Sequence, residues 1–168
     1  MGDWTSTERR IKTPYGSIYY GGACKDSYRN MVTYDATPRG SGLVLTLQRP
    51  AMEAFLAAQV RYARRSGWSK QRIERSKIKV GGKVYLEGRP ILVLPGTNRS
   101  CSTQKALYAS DPNRYANPNI TGHTRGLAID RSNAQSNLKV IDQSLGLEGW
   151  NKVRPDDEPW HLSFGVTI

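Results

Sequence analysis

Cysteine and histidine are both scarce in this chain of 168 residues, with two of each. Cys24 and Cys101 form no Cys-x-x-Cys pair, which argues against a zinc site built on thiolates. No run of about 18 apolar residues occurs, so the sequence offers no membrane-spanning helix. No apolar stretch follows the N-terminal Met-Gly-Asp-Trp-Thr-Ser, so no signal peptide is expected and synthesis in the cytoplasm is. Sequence allows a single Cys24–Cys101 disulfide without establishing it, and two free thiols are the corresponding default. Acidic residues are also few, 14 against 25 Lys and Arg, which leaves a formal charge of +11. An excess of this size draws a protein to polyanions, of which an anionic cell wall and nucleic acid are the two candidates.

What is present is enough to fold. A content of 38% hydrophobic and 23% charged residues belongs to a globular chain, and 168 residues fit one domain with a real core. Residues 1–42, rich in Gly, Tyr, Thr and Ser, read as an irregular arm with short extended pieces at 17–20 and 30–34. Residues 43–168 read as the working domain. Leu43-Val-Leu-Thr-Leu47 predicts a strand. Pro50 opens a helix whose apolar positions Met52, Phe55, Leu56, Val60 and Tyr62 run to about Arg65, with a stop near Gly67. A hairpin turning at Gly81-Gly82 and a buried strand over 90–94 follow. Ser100 or Ser102 caps a helix over 103–109. Residues 126–130 alternate into a strand, 136–146 predict a helix, and 160–168 a closing strand. This order predicts an α+β domain with a small antiparallel sheet flanked by helices. The dense basic stretch 61–79 reads as a solvated helix face and loop.

The two histidines carry the chemistry. His123 lies in Thr121-Gly-His-Thr-Arg-Gly-Leu-Ala-Ile-Asp130, and His161 in Glu158-Pro-Trp-His161. Two imidazoles and one carboxylate satisfy a divalent zinc, and a catalytic zinc keeps one position for water. Asp130 follows His123 by seven positions, too far for one helical turn, so a bent loop entering a strand has to bring them together. His161 would approach from a neighbouring strand. Pro159 disfavours a regular strand before it. A bend there can bring a carboxylate to the open side of the ion as a general base. Glu158, Asp156 and Asp157 all meet that description, and residue chemistry does not choose among them. Trp160 reads as a packing residue.

The two stretches together resemble a known family. Thr121, His123, Gly126, Ala128 and Asp130, followed by Glu158, Trp160 and His161, look like the zinc D-Ala-D-Ala carboxypeptidase and L-alanyl-D-glutamate endopeptidase family, peptidase family M15, with a phage endolysin flavour. The resemblance runs from about Leu43 to the C-terminus. It implies a Hedgehog/DD-peptidase-like fold and one zinc ion held by His123, Asp130 and His161. It further implies Glu158 as general base and acid, Arg99 as the cation that holds the oxyanion or the peptide carbonyl, and Gln104, five positions later, as a substrate-binding residue. Thr121 stands where serine is more usual; its hydroxyl keeps a substrate hydrogen bond available.

What the resemblance implies for function is a zinc-dependent peptidase cutting stem peptides or cross-links of peptidoglycan. It would act as a monomer at the bacterial wall, after phage-mediated release or as part of a virion. A non-catalytic wall-binding or virion structural module on the same fold is the second reading. Against it, such a module has no need of Glu158. Nucleic-acid binding ranks last, since charge alone speaks for it and no specific nucleic-acid motif occurs.

Overall fold

A proline at one end and a glycine beyond the other delimit the longest element. In the computed structural model of the chain, helix α1 spans Arg49–Arg65, with Pro50 in its first turn and Arg64 and Arg65 in its last. Proline lacks an N–H that the first turn would leave unbonded anyway, and the two cations complement the negative end of the helix dipole. Gly67, at φ +89°, turns the chain away afterwards. The structure describes residues 7–26, 28, 30–35, 44–80, 83–86, 90–94, 99–115, 117, 123–153 and 155–165. Thr121, the glycine turn at 81–82 and the end of the closing strand lie outside them.

The architecture is α+β. Strands β1 (Glu8–Thr13) and β2 (Gly16–Gly21) form one antiparallel hairpin. Strand β3 (Met31–Asp35) pairs antiparallel with β4 (Val44–Gln48), which leads directly into α1. Helix α2 (Lys70–Ser76) follows, and β5 (Lys77–Val80) pairs with β6 (Lys83–Leu86). Helix α3 covers Cys101–Ser110. Strands β7 (Ala128–Asp130), β8 (Trp150–Asn151) and β9 (His161–Phe164) build a three-stranded sheet in the order β7-β9-β8, and α4 (Leu138–Leu147) lies between β7 and β8 in sequence. Residues 90–94 are joined to this sheet by a single bridge, Val93 opposite Arg131, and not by a full strand. The Leu94 N–H donates to the Asp130 carbonyl at 2.8 Å, so the segment still lies along β7.

One apolar cluster holds these layers together. Phe55 of α1, Trp150 of β8 and Phe164 of β9 form its aromatic centre, with ring centroids 6.5 Å apart for Phe55–Trp150 and 5.4 Å for Trp150–Phe164. Ile18, Tyr20 and Val32 from the first 35 residues enter the same cluster beside Leu45, Leu47, Ile129 and Leu162. A smaller cluster of Ala63, Ile73 and Leu86 ties α2 and β6 to the far end of α1.

The expectation of two free thiols is corrected. Cys24 and Cys101 form a disulfide with a Cα–Cα distance of 5.5 Å, closing a separation of 77 residues. Spacing in sequence gives no sign of such a pairing; only the docking of the 22–26 segment on α3 brings the two residues together. A loop of that length restrains the unfolded chain by about 4.5 kcal/mol in the chain-entropy picture.

Tyr15 fastens the first hairpin to the sheet edge. Its ring lies 6.5 Å from Phe164, and its hydroxyl donates to Glu148 Oε2. Arg61 of α1 reaches the same carboxylate, with Nη2 2.6 Å from Oε1. Burial, then the hydrogen bond to Glu148, pushes the Tyr15 phenol up from 10.0 to about 12. The folded protein therefore holds this proton more tightly than the unfolded chain. The resulting stability is fully present below pH 10.0 and is lost as pH rises toward about 12. Urea midpoints measured across that interval should fall more steeply for the wild type than for Tyr15→Phe. Parallel falls in the two proteins would contradict the assignment.

Candidate metal centre

Pairing in the three-stranded sheet places two of the site residues face to face. Asp130 ends β7, His161 opens β9, and they are direct antiparallel partners. Opposed residues project to the same face with Cβ atoms about 5 Å apart. His123 comes from a short 3-10 turn, His123–Arg125, just before β7. Gly126 makes the step from that turn into the strand at φ +67°, and a Cβ there would meet Met31 Cε at 2.7 Å and the Gln48 nitrogen at 2.9 Å. Only glycine fits this position without displacing β3 or β4.

Asp130 Oδ1 lies 3.4 Å from His123 Nε2 and 3.2 Å from His161 Nδ1. The imidazole rings stand edge to face, 4.7 Å between centroids. One ligand atom from each residue falls within 4.8 Å of the others. Donors about 2.0–2.1 Å from a tetrahedral zinc stand about 3.3 Å from one another, so both Asp130 contacts have the length of a coordination edge. The donor set also suits the ion chemically, with two borderline nitrogens and one hard oxygen. Burial alone would raise the Asp130 carboxyl, but hydrogen bonds from His123 and His161, and their charge, outweigh it. They hold Asp130 well below the ordinary carboxylate range, ready as an anionic ligand.

Neighbouring side chains fix these three groups, and sequence reading missed them. Ser163 Oγ lies 3.2 Å from His161 Nε2. With Nδ1 given to an ion, Nε2 carries the proton and donates to that hydroxyl, which sets the ring's tautomer and tilt. Gln48 is fully buried, and its amide binds three backbone groups. Nε2 donates to the Tyr19 carbonyl at 2.7 Å and to the Arg125 carbonyl at 3.0 Å, and Oε1 accepts from the Tyr19 N–H at 2.8 Å. The histidine turn is thereby tied to β2 and β4. Arg131, next to Asp130, pairs with Asp142, with Nε–Oδ1 at 2.5 Å and Nη2–Oδ2 at 3.0 Å. Its Nη2 also donates to the Pro159 carbonyl at 3.1 Å, and its backbone N–H to the Trp160 carbonyl at 2.9 Å. Arg131 thus secures the turn that carries Glu158.

The remaining site candidates fall in three places. Glu158 is half-buried while Asp156 and Asp157 are exposed, and the Glu158 carbonyl accepts from the His161 N–H at 3.0 Å. Arg99 Nη1 donates to Gln104 Oε1 at 3.2 Å, and Gln104 is buried in α3. Ser100 caps α3, its hydroxyl accepting from the Thr103 N–H at 3.1 Å. Thr121 lies outside the described residues. Trp160 is half-buried.

No family model matches the chain, and no curated protein matches it. Among solved structures the chain is similar to that of the LdcB LD-carboxypeptidase, described as revealing the molecular basis of peptidoglycan recognition. The likeness has 16% identity and a TM-score of 0.41, and covers 93% of this chain and 80% of the other.

Competition with a chromophoric chelator should give one tight zinc site per chain. Asp130→Ala removes it, and Ser163→Ala weakens it by about 10–100-fold. Zinc affinity unchanged by Asp130→Ala would contradict the ligand assignment.

Proposed function

We propose that this chain is a zinc-dependent peptidase that hydrolyses a peptide bond in bacterial peptidoglycan. The observation that carries the reading is the convergence of His123, Asp130 and His161, whose ligand atoms lie within 4.8 Å of one another. A zinc ion held there supplies Lewis acidity toward a peptide carbonyl and toward water.

Glu158 is the general base in this reading. Its place in the turn hydrogen-bonded to the first residue of β9 supports the role over the exposed Asp156 and Asp157. It takes the proton from the attacking water and returns it to the departing amine as the C–N bond breaks. Arg99 holds the negative charge that develops on the carbonyl oxygen. A guanidinium braced by a buried amide loses little freedom when it meets that charge, which makes Gln104 a positioning residue. Thr121 contributes a hydroxyl to the substrate. The formal charge of +11 favours encounter with the anionic polymers and free carboxylates of the wall. The protein would act there after phage-mediated release or as part of a virion.

Mass spectrometry of purified peptidoglycan digested by the zinc-loaded protein tests this directly and reports which bond is cut. Glu158→Ala should retain zinc and lose about 10²–10⁴-fold in kcat. Arg99→Ala should lose about 10²–10³-fold. Digestion that survives Glu158→Ala, or complete removal of zinc, would refute the mechanism.

A further inference from the structure

A short piece of the N-terminal region touches both halves of the site. At one end, the Gly22 carbonyl accepts from Nη2 of Arg125, a fully buried residue two positions after His123. The Tyr28 ring lies 6.0 Å from the same guanidinium, and the Tyr28 hydroxyl accepts from the Lys25 N–H at 2.8 Å. At the other end, Cys24 is bonded to Cys101, the first residue of α3. Asp26 then receives two donors from the next residue, the Ser102 N–H at 3.0 Å and the Ser102 hydroxyl at 2.9 Å.

Both anchors therefore fall on segments that carry site residues. Arg125 belongs to the turn that begins with His123, and Cys101 and Ser102 stand between Arg99 and Gln104. Two peptide units reach at most about 7 Å, so the path from Gly22 to Cys24 is short. Across the disulfide the Cα–Cα distance is 5.5 Å. In sequence the two segments stand 19 positions apart, counted from Gln104 to His123.

We propose that the 22–26 segment, through the Cys24–Cys101 bridge and Asp26, is a clamp that positions Arg99 relative to the metal centre. This rests on the peptidase reading above. The clamp is distinct from a bridge that only stabilises the fold, because it links two working segments. Its loss should change catalysis and leave zinc bound at saturating metal, since Asp130 and His161 are held by β7 and β9, and the Arg125 carbonyl by Gln48. Two-electron reduction opens the clamp: the S–S bond breaks, each sulfur takes up a proton, and a small dithiol reagent is oxidised to its own disulfide.

The test uses the full-length, zinc-loaded protein in oxidised and dithiol-reduced forms, with a Cys24→Ser/Cys101→Ser double variant as the permanent open form. Hydrogen–deuterium exchange should rise about tenfold at both 99–104 and 123–126 on opening, with α4 unchanged. Peptidoglycan hydrolysis should fall about 10- to 100-fold in kcat with zinc content constant, the scale expected of a misplaced charged group. Asp26→Ala should lower kcat, and Asp26→Asn should recover part of it, because the amide oxygen still accepts from Ser102. In an Arg99→Ala background, Asp26→Ala should cost nothing further. Unchanged exchange at 123–126 on opening, or kcat losses from Asp26→Ala and Arg99→Ala that simply multiply, would overturn the clamp. A wild-type protein that releases no muropeptide would count against the peptidase reading instead, and the exchange comparison then decides the clamp by itself.

Discussion

The register between β7 and β9 is the constraint on which the site depends. With Asp130 opposite His161, a carboxylate and an imidazole leave the sheet on one face. A slip of one residue would send them to opposite faces, because side chains alternate along a strand. Several bonds hold that register. The Arg131 N–H donates to the Trp160 carbonyl at 2.9 Å, and the Phe164 N–H to the Leu127 carbonyl at 2.8 Å. Between them the fully buried Ile129 faces the almost fully buried Leu162, so slippage would also drag apolar surface out of the core. The apolar cluster thus acts on the chemistry indirectly, by making one strand alignment far cheaper than its neighbours.

His123 is placed by a different means. It lies outside the ladder, and its turn is located by buried polar contacts of Arg125 with the Gln48 amide and the Gly22 carbonyl. Such groups are costly to bury unless every donor and acceptor is met, which makes them poor stabilisers and good locators. Three ligand residues from three segments can then meet around one ion. A metal ion bound to that native arrangement would add to stability by mass action, because the unfolded chain has no such site. The two histidines explain why the Asp130 carboxyl remains anionic in spite of its burial.

The sequence made some of this legible for identifiable reasons. The group His123, Asp130 and His161 stands out because histidine occurs only twice, and each copy lies near acids. Helices α1, α3 and α4 announce themselves by apolar periodicity, a proline or a capping serine. Helix α2 does not, because Ile73 is the one residue it buries, and β1 is hidden by its charged sequence Glu-Arg-Arg-Ile-Lys-Thr. Gln48, Arg125, Arg131 and Ser163 look like ordinary polar residues until the fold supplies their partners. Gln48 meets Arg125 across 77 positions and Arg125 meets Gly22 across 103, distances over which no local pattern operates. The disulfide, which joins residues 77 positions apart, cannot be inferred from sequence for the same reason.

Zinc-edge X-ray absorption on the metal-loaded protein tests the central claim most directly. The account predicts a shell of nitrogen and oxygen at about 2.0–2.1 Å, two imidazoles in the outer-shell scattering, and no sulfur. A sulfur shell near about 2.3 Å, or a spectrum without imidazole scattering, would place the ion elsewhere and contradict it.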